Sequence, residues 1–99
     1  MIRGTTPTLV FRLSIDCSTL TLLNIAFAQG GKVVLEKNLE QCSLDGNTAS
    51  VTLTEDDTLL LDCNKKVEIQ VRAGCGKTRL ASRVIVEDVG RILKDGCLE

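Results

Sequence analysis

The sequence predicts an all-β fold, an antiparallel β-sandwich of about seven short strands in one domain, and three observations carry that prediction. Apolar and polar residues alternate with period two along several stretches, as half-buried strands require. Glycine-containing turn signals separate those stretches at short intervals. No long segment sustains the 3.6-residue period of an amphipathic helix. Two facing sheets would bury the alternate positions, and a small closed barrel is the competing arrangement.

Taken in order, Leu9, Phe11, Leu13 and Ile15 share one face of the first predicted strand, opposed by Thr8, Val10, Arg12 and Ser14. Leu20 to Ala28 forms the next, with a change of phase at Leu22-Leu23 that predicts a bulge, because one extra residue flips every side chain after it. Gln29-Gly30-Gly31-Lys32 is a hairpin turn, since paired glycines supply positive φ, and Lys32 to Lys37 is the returning strand. Gln41 to Leu44 leads into Asp45-Gly46-Asn47, the strongest hairpin signal in the chain, and then into Ser50–Thr54. Thr54 followed three residues later by Asp57 is a short capping box, so one helical turn is expected there. Lys66 to Arg72 alternates most clearly of all. Beyond a Gly74-Cys75-Gly76 turn, Leu80 to Val86 is the last main strand, and Val89 to Gly96 is expected as a short extension ending in the Asp95-Gly96 turn. The domain therefore spans residues 1–97, with Leu98-Glu99 read as a remnant of an expression tag.

Ninety-nine residues suit one core, and the chain is 43% hydrophobic and 25% charged, which is ordinary globular usage. Phe11 and Phe27 are its only aromatics, so Leu, Ile and Val must build the core. Stacking platforms for bases are absent and the net charge is −1, so neither route to nucleic-acid binding is open. Histidine is missing altogether, which removes the commonest general base and the commonest metal ligand. Cys17, Cys42, Cys63, Cys75 and Cys97 lie too far apart in sequence for a zinc knuckle, and their odd number fits reduced thiols serving as small hydrophobes. Met1–Pro7 lacks the apolar run of a signal peptide, and no stretch is long and apolar enough to span a bilayer.

Three motifs invite chemistry. Gly74-Cys75-Gly76-Lys77-Thr78 copies the end of a phosphate-binding loop, but its first glycine would fall on Val71 and a strand follows where a helix must open. It reads as a glycine-rich β-turn. The acids Glu36, Glu40, Asp45, Glu55, Asp56 and Asp57 do not follow the alternating pattern of a calcium loop. Cys75, beside Lys77, has the best setting for an activated thiol yet lacks a partner base. No catalytic, cofactor-binding or metal-ligating residue is assigned, and no enzyme activity is expected.

Met1-Ile2-Arg3-Gly4-Thr5-Thr6-Pro7-Thr8 resembles the start of small proteins encoded by phages and prophages of Gram-positive bacteria. Ala26–Lys37, Val51–Leu59 and Ile92–Gly96 extend that resemblance across almost the whole chain. It implies a structural or assembly protein associated with a tail or baseplate, and a likeness to the immunoglobulin-like N-terminal domain of baseplate upper proteins. The expected partners are other phage structural proteins and the chain itself, met in the bacterial cytoplasm during assembly and in the virion afterwards. No receptor-binding region follows, and five cysteines depart from the pattern. An immunoglobulin-like module for a cell-wall sugar or host surface protein is the alternative, disfavoured by the missing Trp and Tyr.

Overall fold

In a computed structural model, which describes residues 1–98, eight strands form two antiparallel sheets packed face to face. The strands are β1 (Thr8–Arg12), β2 (Leu22–Gln29), β3 (Lys32–Asn38), β4 (Ser43–Asp45), β5 (Thr48–Thr52), β6 (Val67–Cys75), β7 (Thr78–Ala81) and β8 (Ile85–Glu87). A single α-helical turn, α1 (Glu55–Leu59), joins β5 to β6. One sheet has the order β1-β5-β4; the other runs β3-β2-β6-β7, with β8 also on the edge of β6. These are the B-E-D and C′-C-F-G orders of an immunoglobulin domain. No strand among the described residues lies outside β1 in the place of strand A; Ile2 instead makes one parallel bridge with Gly90.

Period-two patterning builds the core between the sheets. Leu23, Ile25 and Phe27 from β2 meet Val67, Ile69, Val71 and Ala73 from β6, with Ala49, Val51 and Leu53 facing them from the other sheet. The row Leu9, Phe11, Leu13 and Ile15 points inward as expected, but each of these side chains stays half-buried because β1 is the last strand of its sheet. Gly30 and Gly31 turn the β2–β3 hairpin at φ +59° and +79°, values that a side chain would strain.

The helical turn forms where the capping box places it. Thr54 Oγ1 accepts the Asp57 N–H at 3.0 Å while Asp57 Oδ2 accepts the Thr54 N–H at 2.8 Å. Its last carbonyls are satisfied from far along the chain. Arg3 donates from Nε to the Leu61 carbonyl at 2.7 Å and from Nη2 to that of Leu59 at 3.0 Å, and its Nη1 pairs with Asp95.

Three local expectations are corrected. No bulge lies at Leu22-Leu23: Leu20 is buried in a turn before the strand begins, and β2 alternates regularly throughout. The irregularity sits on the partner strand, where Phe27 pairs with Leu35 and Ala28 with Val33, leaving Val34 as the extra residue. The predicted strand at Leu80–Val86 is two strands, which brings the count to eight, in line with the sandwich of about seven that the sequence predicts. Ser82 breaks it by placing its hydroxyl in the ladder, where Oγ accepts the Val71 N–H at 3.0 Å. Val89–Gly96 forms no strand either; Gly90 exchanges backbone bonds with Met1 and Arg3, and a Cβ there would meet Ile2 Cγ1 at 3.0 Å. Leu98 is exposed, with its N–H held by Glu55 at 2.8 Å; Glu99, the other half of the expected tag remnant, lies outside the described residues. No helix among the described residues is long and apolar enough to cross a membrane.

Candidate protein-interaction edge

The phosphate-loop look-alike is a β-hairpin. Gly74 and Cys75 end β6, Gly76 and Lys77 make the turn, and Thr78 opens β7 opposite Cys75. Gly76 alone has positive φ, +58°, as in turns of the II′ family. Arg79 Nη1 donates to the Gly76 carbonyl at 2.8 Å, so the turn is closed by its own side chain, and no helix follows to orient amides toward a phosphate.

The acids are spread rather than gathered. Glu36 Oε1 accepts from Asn24 Nδ2 at 3.2 Å on the outer face of the larger sheet. Asp57 instead meets Lys37 Nζ at 2.8 Å, and both side chains are largely withdrawn from water, 16% and 11% exposed. Burial by itself would raise the Asp57 carboxyl. The Lys37 ammonium and the Thr54 N–H outweigh it and hold the group below its usual range. Among the described residues, no three cysteine, aspartate or glutamate side chains are placed to hold a metal ion.

All five thiols are free and scattered. Burial pushes the Cys17 thiol up, and that of Cys42 likewise, against the opposing pull of Lys37. Cys97 is exposed, yet its Sγ donates to Asp56 Oδ1 at 3.0 Å, which raises it to about 11. Thiols so disposed are poor nucleophiles at neutral pH. Cys75 is half-buried in the hairpin with no base beside it in the sequence or across the turn.

The geometry is more selective at the sheet edges. An unpaired edge strand is a template for another chain unless something blunts it. β3 is blunted twice, by the bulge at Val34 and by Lys37, a charged side chain that points inward opposite Ile25. The edge made by β7 and β8 is interrupted at Ser82–Val84. β4 is three residues long and carries Asp45.

β1 is the least protected of these edges, with one charged residue, Arg12, at its end. Thr8-Leu9-Val10-Phe11-Arg12 contains no proline, glycine or bulge, and its register with β5 is unbroken. Leu53 N–H donates to the Pro7 carbonyl at 2.9 Å and Leu13 N–H to that of Asn47 at 2.7 Å. Antiparallel ladders alternate, so Pro7, Leu9, Phe11 and Leu13 spend their backbone groups on β5, while Thr8, Val10 and Arg12 turn theirs outward. No strand among the described residues takes them. Val10 is 65% exposed beside that free ladder. Val10 is an apolar residue between Thr8 and Arg12 on the outer face, and that break in polarity is the signal the sequence offers. No family model matches this chain, and neither a curated protein nor a solved structure matches it.

Proposed function

We propose that this domain is a structural or assembly protein of a phage or prophage particle that works by docking other protein chains, in a tail or baseplate. The observation that carries the docking part is the free ladder of β1. A five-residue strand with three outward backbone positions and an exposed valine fits an extended partner segment by strand addition. The phage part rests on the sequence resemblance at Met1–Thr8, Ala26–Lys37, Val51–Leu59 and Ile92–Gly96. A catalytic role lacks support: the exposed thiol beside acids, Cys97, is raised by Asp56, the Lys77 hairpin is closed by Arg79, and the ion pair of Lys37 with Asp57 is committed to the fold. Sugar binding lacks the aromatic surface it normally uses, since both phenylalanines face the interior.

Affinity capture on the tagged chain during induction of a lysogen tests this reading. Recovery of tail, baseplate or capsid proteins supports it. Their absence, with the chain folded and abundant in the lysate, refutes it.

A further inference from the structure

We infer that the occupant of the β1 edge is a second copy of this chain, paired antiparallel through β1 about a two-fold axis at Val10. This rests on the edge-docking reading above and names its partner. The argument begins with register. Thr8, Val10 and Arg12 present their backbone groups outward, so only registers that set these residues against one another form bonds. Among them, one overlaps all five residues of both strands. It pairs Val10 with the partner's Val10, Thr8 with the partner's Arg12, and Leu9 with the partner's Phe11.

Side chains agree with that register on both faces. On the inner face, Leu9 and Phe11, which their own fold leaves half-buried, cover one another across the axis. On the outer face, two valines that are each 65% exposed become neighbours. Charge favours it as well. Arg12 is the only ionisable residue of β1, and full overlap keeps it away from its own copy. It is carried instead toward the Thr8 end of the partner, where β5 runs through Thr52 into Glu55 and Asp56 at the start of α1. A shift of two residues toward the Arg12 ends loses this. A shift of four sets Arg12 against Arg12, which like-charge repulsion disfavours. The surface is thus self-complementary, as a two-fold interface must be. The result is a continuous six-stranded sheet across two copies.

Sedimentation velocity of the full chain over a concentration series tests this, alongside Val10→Pro and Val10→Lys. The Val10 N–H faces outward, so proline there removes a donor from the free ladder and none from the β1–β5 ladder. Lysine sets two like charges at the axis. The native chain is expected to shift from 10.7 kDa toward twice that mass. Both variants should raise the dissociation constant by roughly tenfold or more, with unchanged far-UV circular dichroism, while Val33→Lys on β3 leaves it unaltered. Amide exchange supplies a second readout, because the Val10 and Arg12 N–H groups should gain protection with concentration. Three outcomes overturn the inference. The native chain stays monomeric to millimolar concentration; or it dimerises equally well with proline or lysine at position 10; or it stays monomeric yet captures phage proteins in a way that Val10→Pro abolishes. The last of these leaves the docking reading standing and removes only the identity of the partner.

Discussion

Asp57→Ala removes two contacts at once, because one carboxylate oxygen serves both the helical cap and the cross-sheet ion pair. Thr54 N–H loses its acceptor at 2.8 Å, and Lys37 Nζ loses its counter-ion at the same distance. The lysine is the larger consequence. Its side chain is 11% exposed, so it has little water to turn to, and stripping one partner from a buried pair costs about 3–5 kcal/mol. Some solvent reaches both groups, which favours the lower end. The orphaned cap adds about 0.5–1 kcal/mol. A loss of about 3–4 kcal/mol is therefore expected, a large share of the ~5–15 kcal/mol that holds a typical domain together. Lys37→Met keeps most of the packing and should cost less, and the double variant should cost clearly less than the sum, since no charge is left unpaired. Urea unfolding followed by circular dichroism measures all three, the chain having neither Trp nor Tyr for fluorescence. The sign with pH is fixed. A carboxyl held below the ordinary carboxylate range contributes stability that is fully present above that range and is lost as pH falls through the lower folded value. The gap between native and Asp57→Ala should thus close in that acid range. A cost under about 1 kcal/mol, or an additive double variant, would refute the account of Lys37 as a charge dependent on Asp57.

Gln29→Ala should cost about 2–3 kcal/mol in the same assay, since its amide is buried and bridges the Asp62 and Lys65 carbonyls at 2.8 and 3.0 Å while accepting the Asp62 N–H at 2.8 Å; amide exchange should quicken at residues 62–66. Asp56→Asn should speed maleimide labelling of Cys97 several-fold at mildly alkaline pH, because the Asp56 carboxylate is the main cause holding that thiol near 11. An unchanged rate would refute that cause. Lys77→Ala should leave stability within about 0.5 kcal/mol, as for an exposed turn residue, and ATP with magnesium should not raise the melting temperature of the native chain. Nucleotide-dependent protection would revive the phosphate-loop reading.

Where local chemistry decides the structure, the sequence was readable. Alternation in Lys66–Arg72 fixed β6, Gly30-Gly31 and Asp45-Gly46 fixed two hairpins, and Thr54 with Asp57 fixed the cap of α1. Features that depend on a partner strand were not. The bulge at Val34 is defined only against Phe27 and Ala28, and the doubled leucines at position 22 drew attention to the wrong strand. Ser82 looks like any polar strand residue until Val71 N–H is seen to seek its hydroxyl. The failure at Val89–Gly96 has the same origin, for a strand needs a neighbouring ladder, and β8 already occupies the edge of β6 beside Val67. The candidate edge escaped notice for a related reason: which strand lies outermost follows from topology, and alternation within Thr8–Arg12 is the same at the edge as in the middle.

The uneven treatment of the sheet margins sets the valence of the domain. With β3 kinked and charged, β4 brief and the β7–β8 margin cut at Ser82, β1 is the margin left open among the described residues, so the proposed strand addition would proceed from that side. A unit with a single sticky side joins one neighbour and is then saturated. Growth by this route stops after one event instead of running on into a fibre.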